Sequence, residues 1–85
     1  MKLRNRKHLV VTDTEYGAVL LDTKSGEYWQ LNPPGAVIVR TLLDGEGPDE
    51  AIRRVTGSFE VESDRAAADV HALIEAMRSA GVVEK

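Results

Sequence analysis

The chain has 85 residues, 42% apolar and 29% charged, the composition of one small globular domain. It has no cysteine, which excludes a disulfide framework and a thiolate metal site. So short a chain buries only about 60–65% of the surface its unfolded form exposes. It also leaves little volume for an enzyme cleft of about 300–1,000 Å³, so binding is expected rather than catalysis.

The net charge of −3 is unevenly spread. Lys2, Arg4, Arg6 and Lys7 make the first eight residues +4, and the remainder is −7. An acidic body repels phosphate backbones, so nucleic acid is not an expected partner. The basic stretch 1–7 reads as an arm outside the domain, which spans 8–85. No apolar run approaches the roughly 18 residues of a membrane span. The basic start lacks the apolar segment of a signal peptide. The expectation is a soluble cytoplasmic protein.

His8–Thr12 (HLVVT) reads as a first strand and Tyr16–Asp22 (YGAVLLD) as a second, joined by Asp13–Glu15. Thr23-Lys24-Ser25-Gly26 is a turn, and Glu27–Leu31 (EYWQL) is a third strand closing a hairpin. Side chains alternate along a strand, so Trp29 and Leu31 share one face and Tyr28 and Gln30 the other. The more apolar pair is expected to face the core.

Asn32-Pro33-Pro34 starts a helix. Asn caps well, and proline suits a first turn whose N–H groups have no partner. Val37, Ile38, Thr41, Leu42 and Leu43 form its inner face, and Asp44-Gly45 ends it. Pro48-Asp49-Glu50 starts a second, shorter helix, with Ala51, Ile52 and Val55 inward and a stop at Thr56-Gly57-Ser58. Phe59 and Val61 plug the core from the loop that follows. A third helix runs from about Asp64 to Ala80 with Ser63 as its cap. Its apolar stripe is Ala66, Val70, Leu73, Ile74 and Met77. Gly81 stops it, and Val82 and Val83 either add a short strand or pack down. Three strands followed by three helices predict an α+β domain with helices on one face of an antiparallel sheet.

The catalytic inventory is thin. His8 and His71 are the two histidines, and His71 lies on a helix flank away from any plausible nucleophile. Ligands for a metal site at regular spacing are absent. Gly45-Glu46-Gly47 lacks the lysine of a phosphate-cradling loop. The expectation is no catalytic residue, no metal and no cofactor.

Two features point to binding. In a meander the third strand lies at a sheet edge, where unpaired N–H and C=O groups can accept another extended chain. Glu27–Leu31 carries neither the lysine nor the proline that commonly blunts an edge. The second feature is the shoulder of the third helix. Beyond Leu73 come Asp69, Ala72, Ala76 and Ala80, then Arg65. Alanine is a good helix former, but three of them here also leave a shallow channel. If the shoulder faces the third strand, the two make a groove whose Asp69 and Arg65 read charge on a bound peptide.

At these residues the chain resembles the PqqD-like family. The resemblance is carried by Leu21-Asp22, by Ser25-Gly26-Glu27-Tyr28-Trp29-Gln30-Leu31-Asn32-Pro33, by the helix 35–43 and by Asp44-Gly45. Asp69-Val70, Leu73 and Ala80-Gly81-Val82-Val83 resemble that family's last helix and its ending. The likeness spans roughly residues 8–83. It implies a winged helix-turn-helix-like peptide-recognition domain (a RiPP recognition element) that takes a leader peptide as an extra antiparallel strand. A free-standing chain of this length looks most like the recognition protein of lasso-peptide pathways. The partners then implied are a precursor peptide, a leader peptidase and a macrolactam cyclase. Carried over by position, Glu27, Tyr28, Trp29, Gln30 and Leu31 form the edge. Asp69, Ala72, Leu73, Ala76 and Met77 form the helix wall. The competing readings are a winged-helix DNA-binding module and a small dimer pairing its own edge strands. The expected third helix is net −1, with Asp64, Asp69 and Glu75 against Arg65 and Arg78, which weighs against DNA.

Overall fold

The structure is a computed structural model and describes residues 6–82. The arm residues Lys2 and Arg4, and Val83, lie outside the described residues. A short 3-10 turn, Arg6–His8, leads into β1 (Leu9–Thr14), β2 (Gly17–Asp22) and β3 (Tyr28–Leu31). Helices α1 (Pro33–Leu43), α2 (Pro48–Ser58) and α3 (Ser63–Ser79) follow. The strands form an antiparallel meander in the order β1-β2-β3. The fold is α+β, as the element order predicts.

The hairpin between β1 and β2 is tighter than expected. Asp13 and Thr14 belong to β1, opposite Ala18 and Gly17, and the turn is reduced to Glu15-Tyr16. Tyr16, expected inside the second strand, is 81% exposed. Asp13 pairs with Arg40 of α1, a contact across 27 positions that strand patterning does not carry. Gly17 has φ +152°, and a Cβ there would collide with the Leu31 carbonyl oxygen of β3. Only glycine lets the strands close here.

The β2–β3 turn is held by Asp22, which is buried at 7% exposure. Its Oδ1 accepts from the N–H groups of Lys24 (2.9 Å) and Ser25 (3.4 Å). The Asp22 N–H donates to the Glu27 carbonyl at 2.9 Å. Glu27 thus precedes β3 but is already tied to β2.

Ala18, Leu20 and Leu31 point into the core with Leu9, and Trp29 packs against it half-buried. Helix α1 lies against β2 and β3 and touches both other helices, and α2 packs between α1 and α3. Asn32 caps α1, its Oδ1 accepting from the Gly35 N–H at 2.8 Å. The buried face of α1 is wider than its spacing suggests, since Ala36 and Val39 are buried and Val37 only half so. Thr41, fully buried, donates to the Val37 carbonyl at 2.7 Å. Its oxygen also accepts from Arg54 Nη1 of α2 at 3.5 Å.

Helix α2 ends at Ser58, within the expected stop, but it is not shorter than α1: both have 11 residues, and the Phe59 N–H closes the last turn of α2 on the Val55 carbonyl at 2.9 Å. Arg54 joins it to the end of α1, bonding Glu50 (3.0 Å) and Asp44 (3.3 Å). In α3 the capping position is Glu62, which makes no side-chain cap bond, and Ser63 is the first helical residue. Helix α3 ends in a Schellman arrangement. The Val82 N–H bonds the Met77 carbonyl at 2.8 Å across Gly81, which has φ +82°. Val82 is 3% exposed and packs down, rather than adding a strand.

The turn makes a testable claim about pH. Burial by itself raises the Asp22 carboxyl pKa. The backbone N–H groups of Lys24 and Ser25 outweigh it, helped by the Ser25 hydroxyl and His8, and hold the group below its ordinary value. The stability this contributes is present above the unfolded value of about 4 and is lost as pH falls through the lower folded value. Melting temperatures from pH 7 to 2 should therefore fall less steeply in Asp22→Asn than in wild type. Identical slopes would remove Asp22 from the acid response.

Candidate functional site

The ladder decides which backbone groups are free. In an antiparallel pair, alternate residues point both N–H and C=O at the same neighbour. The Asp22–Glu27 bond and the Ala18–Leu31 and Leu20–Trp29 register turn Glu27, Trp29 and Leu31 toward β2. Tyr28 and Gln30 therefore direct their N–H and C=O groups away from the sheet. Among the described residues no strand lies beyond β3. The edge is four residues long and contains no lysine and no proline.

A depression of about 350 Å³ opens beside this edge. Gln30, Leu31 and Asn32 form one bank, and Arg65, Asp69, Ala72 and Leu73 of α3 form the other. The first turns of α1 make the floor, through Pro34, Gly35 and Ile38. Gly35 has no room for a side chain, since a Cβ would lie 2.9 Å from the capping Asn32 oxygen. The same small residue keeps the floor low. A second depression, about 490 Å³, lies at the same end of β3 and is lined by Thr14, Tyr16, Ala18, Val19, Gln30, Leu31 and Asn32. A short chain thus does make concave surface of useful size, contrary to the expectation from length, although each depression opens broadly to solvent.

The structure gathers Gln30, Leu31, Arg65, Asp69, Ala72 and Leu73 around one groove. It does not gather all the residues named from sequence. Met77 is 2% exposed, belongs to the core and does not line the depression. Ala76 is exposed but does not line the depression. Glu27 lies outside it too, with its carbonyl taken by Asp22. Tyr28, 64% exposed, stands on the outer sheet face, and half-buried Trp29 serves the core. Asn32, Pro34, Gly35 and Ile38 were missed. The run Asn-Pro-Pro-Gly was legible as a helix start, but nothing local says that a helix start will floor a groove.

The charged part of the lining is a single pair. Arg65 Nε lies 3.8 Å from Asp69 Oδ2, one helical turn apart, and both side chains are solvent-exposed. A pair in that setting is worth little to stability, so its charges are available to a ligand at small cost. Among the described residues no cluster of acids and histidines could hold a metal ion. No described helix is long and apolar enough to cross a membrane.

With this geometry in place, comparison with known proteins is decisive for the family. The model of the family described as coenzyme PQQ synthesis protein D (PqqD) matches residues 17–83. This chain belongs to the PqqD family. No curated protein matches it. A solved structure described as lasso peptide synthetase B1 complexed with the leader peptide is 42% identical, with a TM-score of 0.76. The match covers 99% of this chain and 96% of that one. A second structure, TbiB1 in complex with the TbiA(beta) leader peptide, is 23% identical with a TM-score of 0.80, covering 99% and 95%. It shares the fold. This PqqD-family domain thus carries its open edge and groove in an architecture seen elsewhere at nearly full length.

The placement of two neighbouring residues on α3 can be checked by stability. Met77→Ala should cost about 2–5 kcal/mol, as expected for a buried large side chain. Ala76→Trp, at an exposed position, should stay within about 0.5 kcal/mol. Denaturant unfolding of both variants reads this directly, and the reverse order would mean that α3 is rotated from the position described.

Proposed function

We propose that this domain captures the leader segment of a ribosomally made precursor peptide as an added antiparallel strand on β3. It acts in lasso-peptide biosynthesis, in the cytoplasm where the precursor is made, and performs no chemistry itself. It delivers the bound precursor to separate enzymes, a leader peptidase and a macrolactam cyclase. The recognition domain is residues 8–85, and the basic stretch before it stands outside. The observation that carries the reading is an open strand edge with a depression on either side of Gln30–Asn32. Backbone groups at Tyr28 and Gln30 supply affinity, and the two depressions receive alternate side chains of the peptide. Family membership and the leader-bound relative support it.

Magnitudes say where specificity resides. Four edge hydrogen bonds contribute about 0.5–1.5 kcal/mol each, hence about 2–6 kcal/mol. Ordering a flexible leader costs about 2–5 kcal/mol or more. The two nearly cancel. Net affinity then comes from apolar side chains buried against Leu31, Ile38, Ala72 and Leu73, at about 25 cal/mol per Å². A DNA-binding role is disfavoured by α3 itself, whose Arg65 and Arg78 are paired with Asp69 and Glu75 on the same helix.

Calorimetry with the leader peptide of the 42%-identical complex tests the reading. In Gln30→Pro the lost N–H faces outward, so the strand pairs normally while one edge bond is removed and the peptide's approach is blocked. Ala72→Trp fills the groove. Each should weaken binding at least about tenfold, the equivalent of one good contact, with circular dichroism unchanged. Wild-type affinity in both folded variants, or no binding by wild type, would contradict the proposal.

A further inference from the structure

Strand addition on β3 leaves one depression of the molecule unused. It holds about 650 Å³ between the β1–β2 turn and α1. Tyr16, Pro33, Val37 and Phe59 give it an apolar lining. Asp13, Glu15 and Arg40 are its charged residues. Arg40 is held by Asp13. Glu15 is left, among the described residues, as the charge of this lining with no ionic partner. Tyr16, 81% exposed, lies outside the core cluster, and exposed aromatic side chains are common anchors of interfaces.

The depressions join end to end. This one shares Thr14 and Tyr16 with the depression at the end of β3. That one shares Gln30, Leu31 and Asn32 with the groove against α3. Direction then decides which part of a peptide reaches it. A chain paired antiparallel with β3 has its upstream end beside Leu31, whose partner Ala18 comes just after the hairpin turn. We propose that the segment of the leader upstream of the added strand crosses this turn and seats an apolar side chain between Tyr16, Val37 and Phe59, with a positive charge against Glu15. Resting on the leader-capture reading, this extends the same site upstream. Strands lie about 4.8 Å apart, and an extended chain advances about 3.3 Å per residue. From the peptide's place beside β3 to β1 is about three such spacings, so the seated side chain lies roughly four or five residues upstream of the one opposite Leu31. The positive charge is a basic side chain or the peptide's own amino terminus. Side chains alone make this contact, so it discriminates among peptides that the backbone bonds of the ladder treat alike.

Calorimetry with the leader peptide of the 42%-identical complex, complete and shortened from its amino terminus one residue at a time, tests this. Affinity for wild type should fall about five- to tenfold when the residues roughly four or five upstream of the strand are removed. Glu15→Lys and Val37→Glu should each weaken the complete leader by a similar factor and leave the shortened one bound as by wild type. Neither residue lines the two depressions beside β3, and exposed Glu15 keeps the test decisive should Val37→Glu fail to fold. A leader acetylated at its amino terminus separates the two sources of charge: weaker binding assigns it to the terminus, unchanged binding to a basic side chain. Complete and shortened leaders bound equally by wild type, a complete leader indifferent to Glu15→Lys, or variants that weaken both peptides alike would overturn the proposal while leader capture stands. No binding by wild type overturns capture, and this seat with it.

Discussion

The junction between β3 and α1 is the constraint on which the rest of the molecule depends. Within five residues the chain must finish a ladder, turn, and satisfy the first N–H groups of a helix. Asn32 accomplishes the turn by bonding the Gly35 N–H at 2.8 Å. Two glycines then close around it from opposite sides. Gly17 lets β2 approach the Leu31 carbonyl, and Gly35 leaves space for the capping oxygen. This close approach fixes where β3 stops, how α1 leaves the sheet, and how far α3 stands from the strand edge. The groove is the space that remains between them.

Backbone parity follows from the same junction. The β2–β3 ladder is anchored by the Asp22–Glu27 bond and ends at Leu31 opposite Ala18. A slip of one residue would turn Trp29 and Leu31 outward and bury Tyr28 and Gln30. The core would lose two of its apolar side chains, so the register is held by burial as well as by the turn. The outward groups at Tyr28 and Gln30 are thus a consequence of how the core is filled.

Much of this is legible in the residues themselves, where the cause is local. Asn32-Pro33-Pro34 signals a helix start, Gly81 signals a helix stop, and alternation in Tyr28–Leu31 separates a core face from an open one. What is not legible depends on contacts far apart in sequence. Asp13 looks like a connector, yet it pairs with Ala18 in the ladder, and its carboxylate bonds Arg40, 27 residues away. The second helix reads as the shorter one, yet it matches α1 at 11 residues, its last turn closed by the Phe59 N–H. Met77 and Leu73 share an angular sector on α3, but only packing tells that one is buried in the core and the other reaches the groove. Ile38 and Gly35 escape notice for the same reason, because a periodicity describes one helix and a groove needs two.

The central claim is that Tyr28 and Gln30 are the residues whose backbone receives a peptide strand. Residue-resolved amide hydrogen exchange reads this most directly, with the leader peptide of the 42%-identical complex added in excess. Trp29 and Leu31, whose amides already face β2, should exchange slowly with or without peptide. The amides of Tyr28 and Gln30 should exchange freely alone and become protected on addition. Protection that appears only elsewhere, with Tyr28 and Gln30 still exchanging freely in the saturated complex, would contradict the account.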